Sequence, residues 1–261
     1  MKLGTATFVL FLILLLSCGR DVRPITVQGG NVPIADVSLE RVSRPMQRHL
    51  LQGKLSVDSV KAPVIGFAAA TLVAERPESP LMNFTADALL LQARAFCGEK
   101  IDVAITNKGG LRSDMNKGVI TFGDIYNVYP FENNLVTLTL NGQQMLKLFD
   151  EMARVGGEAI SGARMEMVRA GDSVYCGALM VGGRDVRGSD DGWKSREYRI
   201  VTINYLAQGN DGLSILAQGY DRREYAITLR QLIVDYISAL HKQGKPVDAA
   251  VDGRVKKVML E

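Results

Sequence analysis

The repeat of apolar and polar positions changes period several times along the chain, and each change predicts an element. Over residues 80–96, Leu81, Phe84, Ala88, Leu89 and Gln92 recur at helical spacing, so one face meets a core once per turn. Ser79-Pro80 stands before them as a cap followed by a proline in the first turn. Residues 143–155 carry a second such stripe in Met145, Leu146, Leu148, Phe149 and Met152, and residues 227–241 form a third helix. A further stretch, residues 37–51, is able to be helical. Period two replaces this pattern at 135–140, where Leu135, Thr137 and Thr139 alternate with Val136, Leu138 and Leu140. Asn141-Gly142 is expected to turn the chain after that strand. Shorter apolar runs predict a strand or two in 63–73, a buried strand at 101–106 and, after a turn at 115–118, a short one at 119–120. Residues 163–168 and 173–181 pair as a hairpin through Arg169-Ala170-Gly171-Asp172. A strand at 198–204 runs into a loop over 205–213, and a last strand covers 255–259. Helices mixed with antiparallel hairpins make this an α+β (mixed α/β) fold, a mixed sheet with flanking helices.

The first residues follow another logic. Lys2 precedes an apolar run over residues 8–16, shorter than the ~20 residues that span a bilayer. A plain secretory signal cut at a small residue is one reading. The other is a lipoprotein signal, because Leu15-Leu16-Ser17-Cys18 resembles a lipobox. In that reading residues 1–17 are removed, Cys18 is diacylated, residues 18–60 are tether and lead-in, and 61–261 form the domain. Acyl chains bury about 0.8 kcal/mol per CH₂, so the expected location is the cell envelope, on the membrane through the lipid anchor.

Composition narrows this only slightly. The chain has 261 residues, 47% hydrophobic and 23% charged, with a formal net charge of +3. That balance is globular and excludes collagen-like or largely disordered chains. It also offers no electrostatic case for nucleic acid as a partner. Cys97 and Cys176 lie far apart and have no metal-site spacing; a disulfide and two separate thiols both remain open. His49 and His241 are the sole histidines, and Asp190-Asp191 reads as a solvated turn.

Three loops combine glycines or turn formers with chemistry-bearing side chains, and function concentrates in such loops. In Asn107-Lys108-Gly109-Gly110-Leu111-Arg112, paired glycines allow close backbone approach, and Arg112 can grip an anion bidentately. A simple turn with a solvated arginine is the alternative, and the missing Gly-Lys-Ser/Thr ending excludes a Walker-type loop. In Tyr129-Pro130-Phe131-Glu132-Asn133-Asn134, Phe131 sits in a non-periodic stretch where it can stack on a flat ring. Asn133 can read a base edge with one donor and one acceptor. A satellite core cluster is the alternative there. In Asn204-Tyr205-Leu206-Ala207-Gln208-Gly209-Asn210-Asp211-Gly212, Asp211 suits a ribose diol, or else simply bonds its own turn.

Taken together, the loops resemble the C-terminal domain of the 5′-nucleotidase / 2′,3′-cyclic nucleotide phosphodiesterase family. That domain carries Asn-x-Gly-Gly-Ile-Arg, Pro-Phe-x-Asn and aromatic-x₃-Gly-Gly-Asp-Gly loops in this order. The resemblance covers residues 62–259, including Gly118-Val119-Ile120-Thr121 and Leu140-Asn141-Gly142 between the loops. It implies a nucleoside base held between Phe131 and Tyr205, with Asn107 and Asn133 facing it. It also implies Asp211 on the ribose hydroxyls and Arg112 on phosphate or ribose oxygens, and Gly109, Gly110 and Gly209 are expected among the substrate-binding residues. Departures are Tyr205 for phenylalanine, Asn210 for the second glycine, and Pro80 and Met82 for an Asn and a Gly at the helix start. Arg76 falls about one residue out of register with arginines of the family, and its role stays open.

In that family hydrolysis belongs to a separate N-terminal metallophosphatase domain, whose Asp-x-His and Gly-Asn-His-Glu/Asp ligand loops do not occur in this sequence. The expectation is therefore the substrate-binding half of a split 5′-nucleotidase, with divalent metals only in a separate metallophosphatase chain. A free-standing nucleoside- or nucleotide-binding lipoprotein is the alternative, and a decayed pocket serving as an interaction module is a third reading.

Overall fold

The computed structural model describes residues 43–188 and 191–260. The expected signal peptide, Cys18, the tether up to residue 42, and Asp190 of the Asp190-Asp191 turn lie outside the described residues. The chain divides into two units, Met1–Leu50 and Leu51–Glu261. In the first, the described residues hold only the start of helix α1 (Arg44–Lys61), with Pro45 in its opening turn. Of the helix expected at 37–51, residues 37–42 lie outside the described residues, Ser43 is not helical, and the helix runs from Arg44 to Lys61. No helix among the described residues is long and apolar enough to cross a membrane.

The second unit is built on three sheets. β1 (Val64–Ala68) pairs antiparallel with β3 (Gly118–Thr121). The central sheet runs in the order β10 (Tyr220–Thr228), β4 (Asn134–Asn141), β9 (Glu197–Ile203), β2 (Val103–Thr106) and β5 (Ala159–Ser161). The third holds β11 (Val255–Leu260), β6 (Ala163–Ala170), β7 (Ser173–Val181) and β8 (Arg184–Asp185). The β6–β7 hairpin is the one expected, with Ala170 opposite Ser173, and β11 joins β6 in parallel.

Helix α2 (Pro80–Cys97) follows its predicted stripe and lies on β2, β5 and α6 (Leu229–Lys242). Ser79 does not cap it through its side chain; the hydroxyl accepts the Glu75 N–H at 3.0 Å instead. Asn141-Gly142 makes no turn between elements. Asn141 is the N-cap of α4 (Gly142–Arg154), its side chain accepting from Gln144 N while Gln144 reaches back to Asn141 N. Such a reciprocal box satisfies two orphan donors, so strand passes directly into helix. The same device, Thr121 with Asp124, starts the short α3 (Phe122–Val128), which periodicity does not reveal.

Two further boundaries move. The strand expected at 198–204 ends at Ile203, and the loop expected from 205 opens with a single helical turn, α5 (Asn204–Ala207). The helix expected from 227 begins at Leu229, because Ile227 and Thr228 close β10. β10 is polar at Asp221, Arg222, Arg223 and Glu224 and lies at a sheet edge, so it lacks an apolar alternation. In β4, Thr137 and Thr139 are buried along with their apolar neighbours. Arg199 donates to both hydroxyls, at 2.8 and 3.2 Å, and pairs with Glu99 at 3.2 Å. Cys97 and Cys176 are both free thiols.

Gly162, between β5 and β6, has φ +80°, and a Cβ there would lie 2.0 Å from the Asp102 carbonyl oxygen. Gly171 in the hairpin has φ +56° and open space around it. Gly171→Ala should therefore cost only the left-handed backbone penalty, about 1–2 kcal/mol. Gly162→Ala should cost well beyond that, at least about 3 kcal/mol, since backbone must move. Urea unfolding midpoints at unchanged m-value report the difference; equal losses would refute this account of the β5–β6 corner.

Candidate functional site

Sheet order gathers the loops. β2 and β9 are parallel neighbours, with Val103 opposite Ile200, so their carboxyl ends lie side by side. β4 runs antiparallel to β9 with Leu135 opposite Ile203, which places its start at the same end. Residues 107–112 leave β2, residues 130–133 enter β4, and residues 204–212 leave β9. Ligands of open α/β sheets occupy this kind of crevice beyond the carboxyl ends of strands.

A cavity of about 350 Å³ opens there, lined by Asn107, Gly109, Gly110, Arg112, Phe131, Asn133, Tyr205 and Asp211. Its polar centre is Asp211. The Asn107 side-chain amide donates to Asp211 Oδ2 at 2.6 Å, and the Tyr205 hydroxyl donates to Asp211 Oδ1 at 2.8 Å. That hydrogen bond, together with the carboxylate charge, raises the Tyr205 phenol above its ordinary pKa. Asp211 takes φ +55°, a left-handed conformation that Asp tolerates better than most residues. Asn107 is buried, and its Oδ1 meets no donor among the described residues. Gly110 lets that amide in: a Cβ at this position would come within 2.8 Å of Asn107 Oδ1. Phe131 is 49% exposed and Tyr205 41%, unlike the buried aromatics Phe84 and Phe149. Among the described residues the Arg112 guanidinium makes only a 3.5 Å contact, to the Gly109 carbonyl.

Residues outside the motifs hold these loops in place. Glu158 is buried, and its Oε2 accepts the Lys108 N–H at 2.5 Å. Its other oxygen pairs with Arg76, whose Nε donates to the Gly157 carbonyl at 2.8 Å. Burial pushes the Glu158 carboxyl above its ordinary pKa, while the Lys108 N–H and Arg76 pull against that shift. On the next loop, Arg230 is buried, donates to the Tyr129 carbonyl at 3.0 Å and pairs with Glu132. Its guanidinium also lies 4.0 Å from the Tyr126 ring centroid. The Leu229 N–H donates to the Asn133 carbonyl at 2.9 Å.

Every side chain expected at the site is thus at one cavity, together with Gly109 and Gly110. Gly209 is not in the lining; it has φ +86° and donates to the Leu206 carbonyl at 2.8 Å, shaping the turn that presents Asp211. Sequence reasoning missed Glu158 and Arg230 as supports and left Arg76 open. Their partners lie 50, 98 and 82 residues away, so no local spacing marks them.

The family model for the 5′-nucleotidase C-terminal domain matches residues 59–218. The Trifunctional nucleotide phosphoesterase protein YfkN of Bacillus subtilis (strain 168) is 29% identical over 230 residues, covering 82% of this chain and 15% of that protein. The Probable 5′-nucleotidase of Treponema pallidum (strain Nichols) is 27% identical over 158 residues, 56% of this chain and 26% of that protein. Among solved structures, a 5′-nucleotidase precursor from Thermus thermophilus superposes with a TM-score of 0.68 at 28% identity, over 82% of this chain and 43% of that one. The chain therefore spans less than half the length of these relatives.

Removing the Glu158 carboxylate should loosen the loop without touching the cavity. In Glu158→Ala the Lys108 amide loses its acceptor and Arg76 its partner, a cost of about 2–3 kcal/mol. Hydrogen exchange at Lys108 should then accelerate by tenfold or more while amides of β4 stay protected. Unchanged exchange at Lys108 would show that Glu158 does not hold this loop.

Proposed function

This chain belongs to the 5′-nucleotidase C-terminal domain family, and from that membership we propose that it binds nucleosides or nucleotides as the substrate-binding half of a split 5′-nucleotidase. The observation that carries the reading is the single Asp211 carboxylate held by Asn107 and Tyr205 beside two half-exposed aromatic side chains. In this proposal the base stacks between Phe131 and Tyr205, each contact contributing about 1–3 kcal/mol. Asn107 and Asn133 read its edge. Each Asp211 oxygen already accepts one bond and keeps a second lone pair for a ribose hydroxyl. Arg112 takes the phosphate in a charge-assisted, bidentate grip.

In this proposal hydrolysis belongs to a metallophosphatase domain on another chain, whose divalent metals would supply the hydrolytic chemistry. The part played here is to bind and orient the nucleotide. The lipobox-like Leu15-Leu16-Ser17-Cys18 supports an exported, cell-envelope lipoprotein anchored through Cys18.

Adenosine or AMP at a hundred times its Kd should stabilise the full chain by about 2.7 kcal/mol, a melting-temperature rise of several degrees. Phe131→Ala and Tyr205→Ala should each remove most of that rise. Absence of any shift with nucleosides in the intact chain would sink the binding role. With Mn²⁺ and AMP the chain alone should release no phosphate, and pull-down from membranes should recover a metallophosphatase. Nucleoside binding with neither a partner nor added activity would favour a free-standing binder instead.

A further inference from the structure

A second cleft, of about 430 Å³, lies where the end of α4 meets one face of the β11–β6–β7 sheet. Lys257 is opposite Met167, Met259 is opposite Arg169, and Arg169 is opposite Val174, so these side chains share that face. Arg76, Arg154, Arg169 and Lys257 all line the cleft, and no carboxylate does. The cleft at Asp87, Arg164, Asp252 and Arg254 mixes both signs, as does the one at Lys100, Asp102 and Glu197. Arg154, Arg169 and Lys257 make no ion pair among the described residues, whereas Arg164, Arg199, Arg230 and Arg254 do. In a chain with a formal net charge of only +3, three cations without an ion pair among the described residues, beside a fourth, Arg76, that pairs with Glu158, leave a net positive field on one cleft, which attracts polyanions. Three of the last four carbonyls of α4 are occupied within the chain. Val155, Gly156 and Gly157 N–H groups satisfy Glu151, Ala153 and Met152.

One of the four cations faces two ways. Arg76 lines this cleft and also pairs with the buried Glu158, which holds the Lys108 N–H of the nucleoside loop. We propose that the cleft is a second ligand site, taking a phosphate-bearing anion of two or more negative charges. Arginine forks and a lysine suit phosphate oxygens, and Met167, Val174 and Met259 receive an uncharged portion of the ligand. Bound anion shares Arg76 with Glu158, so occupancy alters the hold on residues 107–112 and with it the nucleoside affinity. That coupling is reciprocal by linkage. It rests on the nucleoside reading above; the anion site itself does not.

The test uses the full chain in non-ionic detergent. Titration calorimetry with pyrophosphate and with inorganic phosphate probes the free anion, and vesicles with and without phosphatidylglycerol probe a lipid headgroup. Binding of either source should fall at least tenfold in R169Q/K257Q, whose melting temperature checks the fold, and should weaken steeply with salt. Lys100→Gln, in the mixed-sign cleft, should leave it unchanged. Absence of binding in every arm, or equal binding by R169Q/K257Q, overturns the site. Adenosine affinity, measured with and without the anion that binds, should differ by threefold or more in the natural chain and not in R169Q/K257Q. An unchanged affinity overturns the coupling. If adenosine binds under no condition while the anion does, the nucleoside reading and the coupling fail and the anion site stands.

Discussion

The parallel pairing of β2 with β9 is the constraint on which the site depends. β2 is only four residues long and buried throughout, and two register pairs, Val103–Ile200 and Ala104–Val201, join it to β9. A slip of one residue would turn every side chain of β2 to the opposite face and carry Asn107 away from Asp211. Antiparallel neighbours on either side, β4 against β9 and β5 against β2, hold the register from both directions. Three loops distant in sequence then emerge at one end because the strands beneath them are adjacent.

Around that apolar frame the protein buries charges sparingly and gives each a partner. Arg199 ties β9 to Thr137 and Thr139 of β4 and to Glu99, and Arg254 ties the approach to β11 to Asp87 of α2 and the Ile160 carbonyl. Glu158 and Arg230 do the same for two of the three site loops. Desolvating such groups is costly, and the cost is offset only where their hydrogen-bonding capacity is filled. These residues therefore specify where loops sit more than they add to stability. The polar groups at the cavity differ from them, since Arg112, Asn133 and Asp211 keep hydrogen-bonding capacity facing outward.

How much of this was legible in the sequence follows from the range of the forces involved. The site loops could be read because their chemistry is local: adjacent glycines, an aromatic outside any period, an Asp inside a glycine turn. Helix α2 could be read because its stripe is long. Strand β10 could not, because an edge strand rich in Asp, Arg and Glu shows no alternation. Asn141-Gly142 misled because the same dipeptide serves a hairpin turn or a helix cap, and only the Gln144 side chain reaching back decides between them. Glu158 carried no signal at all, and Arg76 only a position about one residue out of register with arginines of the family. A carboxylate is a surface residue by default, and the burial of Glu158 here depends on partners that the fold brings from far away, among them Arg76, whose own side chain stays exposed.

The Asn107–Asp211 hydrogen bond joins residues 104 positions apart, and this has a consequence for how the protein acquires its properties. No fragment that ends before Asp211 contains the cavity, and no partly folded chain that leaves β9 undocked can form it. The entropy of closing that long loop is spent before the contact returns anything. Long-range parallel pairing of this kind belongs to the slower steps of folding. The proposed competence to bind would thus arrive late and all at once, so a bound ligand would count only chains whose topology is complete.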